Sequence, residues 1–594
     1  MVTEFSPATP EQIQLWAKHR LVKQGLLTAQ AAITYVDLFY RHIAPFSPVL
    51  VPDPNASPDH ERLVLREPML CCTILMIAAR FFVLRGTGSL LGGQMIHQRL
   101  WEHCEVMIRR VLYGLEKTSV SRARIVSTLE SFLLIADWHP QPILFPIEED
   151  DIDDNLPEMR SDATNESNRV HGPSAEWRDC IIEPSRRGDR MSLSMLGTAS
   201  NLAYEVGIFA DDLGMITDDE HECSRRMRTR KLLYVYVTNV SVRMGCPSGL
   251  PQDVIFASSK ESYNSLRHQS DGSEQWNITC DAWLELVRLH KTASSIFSGS
   301  DSYTRKSLLN GQYITIIQHI TPLLQSWFQR FKSAAHPNYT SVRQLLYIEY
   351  QTLRSFIYAL FIQAVVERAI ARDIPLKSHR DLLSTCFLGQ DIENIREVMA
   401  STQEILRTAI EMGSMGTLRL LPTRQSISIV SSSILLLKAI SLGVSNSDLQ
   451  YSLSILDRCT AAMQVSSVIG ELDFAARFAN LIWEWTAPFK TAFVAPPDDE
   501  VSLAQLRAIR GTSSEGVPGV LTRPEKVDGL QPSPIAAGMD IRDMGGTIPD
   551  TDSWWTQPFD PSFAPFSTDG DQISAMLEID SLDFLWNLTT DTNG

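Results

Sequence analysis

Apolar residues recur at helical spacing along most of the chain, and this periodicity constrains the fold more than any other feature. It is clearest in residues 125–136, 195–206 and 392–410. In each stretch the large apolar side chains follow one another at intervals of three or four residues, which places them on one face of an α-helix. Segments with the alternation of β-strands are few and short. The sequence therefore predicts an all-α fold.

The second of these stretches carries its own boundary signals. Gly207 follows the last apolar position and predicts the end of the helix, with Ile208 folding back onto the last turn. Asp189 precedes the first apolar position, and its short carboxylate suits the N-cap of that helix. We therefore predict a helix that begins just after Asp189 and ends before Gly207.

Two polar regions interrupt the helical pattern. Residues 147–188 are acidic, are punctuated by Pro and Gly, and are too long for an ordinary connection, so we expect a disordered insertion there. Residues 491–594 are rich in Pro, Gly, Ser and Asp, and we expect a disordered acidic tail. Residues 1–490 are left as one large helical domain.

The negative charge of the chain is concentrated in its tail. The full chain has 53 Lys and Arg against 70 Asp and Glu, a net charge of −17. Residues 495–594 contain 17 acidic and 5 basic residues and thus carry −12, which leaves −5 for residues 1–494. Phosphate recognition needs a concentrated basic surface. Direct DNA binding by this chain is therefore not expected.

The last part of the tail, residues 571–590, alternates acidic and large apolar side chains. The members that we single out as an activation segment are Asp580, Leu582, Asp583, Phe584, Leu585, Trp586 and Leu588. The charges keep the apolar side chains in water until a partner groove receives them as a short amphipathic helix. The expected partner is the transcription machinery or a coactivator. The alternative is a C-terminal helix that docks on the helical domain.

One short run of the chain is strongly basic. Its members are Arg225, Arg226, Arg228, Arg230 and Lys231. Such a run fits a nuclear import signal or a nucleic-acid patch. A solvated basic face of a helix that leads into the apolar residues 232–237 explains it as well. Both hypotheses stay open at the level of sequence.

No combination of residues predicts a metal site, a cofactor or a catalytic centre. His97 and Cys104 lie on one face of a predicted helix but lack further ligands at helical spacing, so we expect them to pack in the core. The nine cysteines contain no C-x-x-C pair and read as reduced intracellular thiols. Residues 86–93 lack the Lys-Ser/Thr of a phosphate loop, and residues 148–154 lack the glycine of an EF-hand. We therefore expect no enzyme.

No segment predicts a membrane span or a secretory signal. The longest apolar stretches are broken by Arg80 and Lys438, whereas about 20 apolar residues are needed to cross a bilayer. The N-terminal residues lack a basic region followed by an apolar run. We expect no contact with membranes.

Six segments together resemble a known family. They are residues 66–81, 96–114, 124–146, 188–209, 230–252 and 433–443, and they are spread over the range from 30 to 490. Their sequences are similar to the middle homology region of the fungal-specific transcription factors, which belong to the zinc binuclear cluster regulators. The most distinctive blocks read STLESFLLIADWHP and RMSLSMLGTASNLAYEVGIF. Within the family the chain is most similar to TamA-type regulators of nitrogen and amino-acid catabolism.

The resemblance implies an all-α regulatory domain that controls RNA polymerase II transcription in the nucleus. It also implies regulation by partners or by a small-molecule effector. Genes of nitrogen, amino-acid or secondary metabolism are the implied targets. The acidic tail then has the position and the chemistry of an activation domain.

The DNA-binding module of the family is where this sequence departs from the resemblance. That module needs a C-x2-C-x6-C pattern and a second similar half, whereas the first cysteine here is Cys71. The chain is then either an N-terminally incomplete copy or a co-regulator that works with a DNA-bound zinc-cluster partner. A further alternative is a metabolite-sensing or inhibitory helical module that pairs with a full-length zinc-cluster regulator.

Overall fold

The fold was obtained as a computed structural model. It describes residues 2–50, 58–85, 90–115, 122–145, 183–209, 220–246, 248–250, 271–297, 301–333, 340–372, 386–442, 446–466, 475–480, 482–483 and 486. Helices make up nearly all of the secondary structure in these ranges, which confirms the predicted all-α fold. The predicted tail and its activation segment lie outside the described residues.

The described helices divide into two successive sets. The first set is α1 (Pro10–Ala17), α2 (Arg20–Lys23), α3 (Ala29–Leu38), α4 (His60–Leu65), α5 (Pro68–Phe81), α6 (Leu90–Leu112), α7 (Arg122–Asp137), α8 (Gln141–Leu144), α9 (Glu183–Glu205) and α10 (Glu220–Arg243). The second set is α11 (Asp271–Phe297), α12 (Asp301–Asn310), α13 (Gln312–Ser333), α14 (Thr340–Ala371), α15 (Asp391–Ser414), α16 (Thr423–Ser441) and α17 (Asn446–Ser466). Two short strands, β1 (Val2–Thr3) and β2 (Val83–Leu84), pair in parallel with Val2 opposite Val83.

One apolar core connects both sets of helices, from Trp16 in α1 to Ile482. In the first set, α5 buries twelve of its fourteen residues and is surrounded by α3, α4, α6 and α7. A helix that is apolar on all sides belongs in the centre of a domain. In the second set, α14 packs against α11, α12, α13, α15 and α16. The helices α7, α9 and α10 pack on one another, and α10 continues the contact to α11.

The amphipathic stretch at 392–410 forms α15 with the predicted buried face. Ile395, Val398 and Ile405 are buried, whereas Glu393 and Arg396 are exposed. The apolar side packs against α14, α16 and α17. The periodicity therefore gave both the helix and its orientation.

The end of α9 is also as predicted. Gly207 has a φ of +73°, a left-handed conformation that glycine adopts without the steric cost of a Cβ. The N–H of Ile208 donates to the carbonyl of Ala203 at 2.9 Å, and the Ile208 side chain is buried. This backward hydrogen bond closes the helix in the way that the glycine indicates.

The predicted beginning of α9 is wrong. The helix begins at Glu183, so Asp189 lies inside it and is not an N-cap. Its buried carboxylate forms an ion pair with Arg243 of α10 instead. Residues 183–188, which we assigned to the disordered insertion, are helical, and the remainder of that insertion, 147–182, lies outside the described residues.

No helix in the described ranges is both long and apolar enough to cross a bilayer.

Candidate functional site

The end of α7 connects several helices through three consecutive side chains. Asp137, Trp138 and His139 are each at most 1% exposed. The indole N–H of Trp138 donates to the carbonyl of Leu420 at 3.1 Å, and His139 Nε2 lies 2.9 Å from the hydroxyl of Ser192 in α9. Each residue of this triplet thus points to a different element. The sequence block ADWHP, residues 136–140, therefore lies where these elements meet.

Asp137 belongs to a buried group of five side chains that we call the junction cluster. Its members are Asp137 (α7), Tyr236 (α10), Trp283 (α11), Glu349 (α14) and Arg424 (α16). Arg424 lies 2.7 Å from the Glu349 carboxylate and 3.2 Å from that of Asp137, and its guanidinium lies 4.4 Å from the Trp283 ring. The Tyr236 hydroxyl donates to Asp137, and the Trp283 indole donates to Glu349 at 2.5 Å. Five helices therefore meet at one arginine.

Burial dominates the electrostatics of the junction cluster. It raises the pKa of Asp137 and of Glu349, while Arg424 pulls both pKa values down. Burial opposes the charge of Arg424, but Glu349 and Asp137 together hold the pKa of its guanidinium above the ordinary value. The cluster has two carboxylates for one guanidinium. Its charge state consequently depends on how closely the five helices keep these groups together.

The junction cluster keeps some contact with solvent despite its depth. The side chains of Arg424 and Glu349 are 12% and 17% exposed. Breaking a buried pair by removing one partner costs several kcal/mol, because the other charge stays in a low-dielectric surrounding. The cluster can therefore act as a point at which a change of charge or a bound molecule alters how α7, α10, α11, α14 and α16 pack.

The basic run of the sequence lies on α10 and forms a second buried group, the arginine cluster. It consists of Arg225, Glu130, Glu67 and Arg62. Arg225 donates from Nε to Glu130 at 2.7 Å and from Nη1 to Glu67 at 2.5 Å. Arg62 donates to the same Glu67 oxygen at 2.7 Å. The arginine cluster connects α4, α7 and α10 through charge-assisted hydrogen bonds, which are the stronger kind.

The other members of the run are placed in different ways. Arg226 and Arg230 are each 2% exposed, and the Arg228 guanidinium lies 5.6 Å from the Trp276 ring. Lys231 binds Asp281 of α11 at 2.6 Å. The alternative of a solvated basic face is therefore wrong for Arg225, Arg226 and Arg230. An import receptor reads exposed side chains, so the buried guanidiniums are out of its reach in the folded domain.

His97 and Cys104 pack in the core, as predicted. Both are at most 2% exposed. His97 Nδ1 lies 2.8 Å from the Met76 carbonyl, and Nε2 accepts the backbone N–H of Gln141 at 3.2 Å. Burial lowers the pKa of His97 to about 4, so the ring is neutral and carries its proton on Nδ1. Among the described residues no three metal-ligating groups lie together.

Sequence reasoning missed the carboxylates that organise both clusters. Glu130, Asp137 and Glu349 each stand in an otherwise apolar stretch of their helix. A charge in such a position must find a partner inside the fold, since an isolated buried carboxylate is costly. That rule could have flagged the three residues, although not their partners. The activation segment and the acidic residues 148–154 lie outside the described residues, so the structure does not test them.

Comparison with known proteins identifies a relative among transcription factors. Transcription factor hmgR of Aspergillus fumigatus is 34% identical to this chain over 613 aligned positions, which cover 98% of this chain and 79% of hmgR. No protein-family model matches the chain, and no solved structure matches it. The chain belongs to the family of fungal transcription factors that includes hmgR.

Proposed function

We propose that this protein regulates RNA polymerase II genes in the nucleus and that its C-terminal acidic segment, residues 571–590, is the output. One observation carries the proposal. The similarity to a transcription factor covers 98% of the chain, so all but about a dozen of the 594 residues lie within it. An acidic tail of 100 residues is too long to fall outside that range. The alternation of Asp with Phe, Leu and Trp in the tail supports its role as an activation segment.

A reporter assay tests the output role. The full chain is fused to a heterologous DNA-binding module and directed to a reporter promoter. Replacing Phe584 and Trp586 by Ala should lower transcription several-fold, because these side chains would fill the apolar groove of a coactivator. Asn587→Ala, in the same segment, is the matched control and should leave output unchanged. Equal output from both variants would remove the activation segment from the proposal.

Nuclear location is part of the proposal and rests on the transcription-factor family. Import through the run from Arg225 to Lys231 has little support, because the arginine cluster holds Arg225 in the interior. A fluorescent fusion of the full chain measures location directly. If the run is structural, Lys231→Ala, which changes its partly accessible member, should leave nuclear accumulation unchanged.

We further propose that the chain is recruited to promoters by a DNA-bound zinc-cluster partner and acts as a co-regulator. A net charge of −5 over residues 1–494 supports partner-dependent recruitment over direct DNA contact. Genes of nitrogen, amino-acid or secondary metabolism are the proposed targets. Co-purification from nuclear extract tests the partner. Promoter occupancy that survives deletion of every co-purifying DNA-binding protein would contradict it.

A second candidate function is a metabolite-sensing or inhibitory module that pairs with a full-length zinc-cluster regulator. The junction cluster favours it, since Arg424 and Glu349 keep solvent contact where five helices meet. A small polar effector that bound there would change the packing of those helices. The discriminating result is a fusion that stays silent at the reporter but suppresses a co-expressed regulator.

A further inference from the structure

The outward side of α6 carries a row of exposed apolar side chains. Met95 and Val106 lie on the same side of the helix with Arg99 and Glu102 between them, and Tyr113 directly follows its last residue. These three apolar side chains are 53%, 51% and 72% exposed. Leu112 and Leu115, at its C-terminal end, are 52% and 61% exposed. Single exposed apolar residues are ordinary, but a row on one helix is typical of an interaction surface. These five residues are called the α6 face below.

Positive charge surrounds the α6 face. Burial lowers the pKa of His103 on α6, and the positive charge of Arg20, the first residue of α2, lowers it further. Residues 18–23 bring Lys18, Arg20 and Lys23 without an acid, and residues 95–113 carry three Arg against two Glu. The local net charge is therefore +4 on a chain whose total is −17.

The ion pairs on α6 leave this charge open to a partner. Arg99 pairs with Glu102 at 3.0 Å and Arg109 with Glu105 at 3.2 Å, both along the helix itself. All four side chains are between 44% and 60% exposed. Exposed pairs of this kind contribute only about 0–1 kcal/mol. An incoming carboxylate can replace such a partner at little cost.

The C-terminal segment of the same chain has the complementary composition. Residues 571–590 contain four acidic residues and no Lys or Arg, and hence carry −4. Between 576 and 588 they also contain eight large apolar side chains. Residue 571 follows Thr486, the last described residue, by 85 positions. A chain of that length extends up to roughly 280 Å, against a diameter of roughly 60 Å for a domain of this size, so the connection reaches α6.

We propose that residues 571–590 dock on the α6 face in the resting protein. Phe584 and Trp586 cover Val106 and Tyr113, and the acids of the segment face the cations of α6 and of the turn after α1. The proposal deepens the proposed function and rests on it for the meaning of the docked state: a coactivator cannot reach a segment that lies on α6. Release of the segment then precedes activation.

Photo-crosslinking in the full chain tests this docking. A benzoylphenylalanine at Asn587 should crosslink to peptides from residues 95–115. Mixing isotopically light and heavy chains distinguishes a contact within one chain from a contact between two copies. Crosslinks to another part of the domain, or chiefly between chains, would overturn the proposal.

Matched variants sharpen the result. Val106→Glu and Tyr113→Glu should lower the crosslink yield at least five-fold, because each adds a negative charge to the apolar row. Leu323→Glu, at a residue that is 56% exposed on α13, should leave the yield unchanged. Circular dichroism of all three variants checks that they are folded. Equal yields from Val106→Glu and Leu323→Glu would contradict docking on α6.

The crosslinking and the reporter experiments test the docking and the proposed function separately. A segment that activates at the reporter but does not crosslink to α6 refutes the docking alone. A segment that crosslinks to α6 but stays silent at the reporter even after Val106→Glu has released it refutes the proposed function alone.

Discussion

Two helices of this domain are rich in arginine, and they use it in opposite ways. On α10 the Arg225 side chain is 6% exposed and lies between Glu67 and Glu130. On α6 the Arg99 side chain is 60% exposed, and its partner Glu102 stands one turn away on the same helix. The difference is whether another helix offers a carboxylate inside the core.

The two arrangements also differ in what they contribute. The arginine cluster connects three helices, so its loss leaves charges stranded in the interior. The pairs on α6 lie in water and contribute little to stability. This leaves the outer side of α6 free to change its partners. We therefore expect the ion pairs of α10 to be rigid and the surface ion pairs of α6 to exchange readily.

The largest effect on stability is expected from a substitution in the arginine cluster on α10. Arg225→Ala should lower the free energy of unfolding by about 3–5 kcal/mol, because Glu130 would lose both hydrogen bonds from Arg225 and Glu67 would keep only Arg62. Arg109→Ala on α6 should change it by less than about 0.5 kcal/mol, since it removes only an exposed pair. Urea denaturation of the full chain measures both. Similar losses for the two variants would mean that the arginines are not used differently.

The next effect concerns α9, which packs against α10. A Cβ at Gly188 would lie 2.3 Å from His139 Nδ1, and the buried ring has no room to move. Gly188→Ala should therefore destabilise the chain by about 1–3 kcal/mol. Gly197→Ala, on the same helix, meets nothing within 4 Å and should stabilise it by about 0.5–1 kcal/mol. Thermal unfolding compares them, and the same sign for both would contradict the close approach at Gly188.

A pH titration tests the inner side of α6, with an exposed histidine of α13 as the control. Burial holds the pKa of His97 at about 4, below the unfolded value of about 6.5. The stability from the neutral ring is present above pH 6.5 and is lost as the pH falls towards 4, by about 2 kcal/mol between pH 7 and pH 5. His97→Gln should remove this loss, while exposed His319→Gln should keep it.

The comparison with His319→Gln is needed because other buried groups also titrate, His139 and His290 in the same sense as His97 and two carboxylates in the opposite sense. Burial raises the pKa of Asp137 and of Glu349, so their protonation favours the folded state as the pH falls. The difference between the two histidine variants cancels this contribution. An identical pH dependence in both would show that His97 is not held neutral.

The smallest effect on stability is expected on the outer side of α6. Val106→Glu should change the free energy of unfolding by less than about 0.5 kcal/mol, because the side chain is 51% exposed. The same substitution should raise the output of the tethered reporter about three-fold by releasing the acidic segment. Reporter output and urea denaturation are measured on the same variant. A large loss of stability would show that Val106 belongs to the core.

Features that depend on neighbours in the sequence could be predicted from local patterns. The spacing in 392–410 gave α15 and its buried face, and Gly207 gave the end of α9, because both depend on neighbours in sequence. The start of α9 was placed seven residues too late, since Asp189 is held by Arg243, 54 positions further along the chain. Its side chain is used for a tertiary contact and not for a cap.

The contacts of the arginine cluster could not be predicted from local patterns, because its members are also far apart in the sequence. Arg225 is 95 residues from Glu130 and 158 residues from Glu67. Nothing within a few residues of the basic run indicates that these carboxylates lie across from it. The charges on α10 could therefore be read from the sequence, but the helices that they face could not. Those neighbours are determined by how the helices pack in the all-α fold.

The most direct test of the account combines the two surfaces in one reporter experiment. The full chain is tethered to the promoter as wild type, as Val106→Glu, as Phe584→Ala with Trp586→Ala, and as the combination of all three substitutions. The account predicts higher output for Val106→Glu than for the wild type, low output for the tail variant, and equally low output for the combination. An increase by Val106→Glu that persists without Phe584 and Trp586 would contradict the claim that α6 restrains the acidic segment.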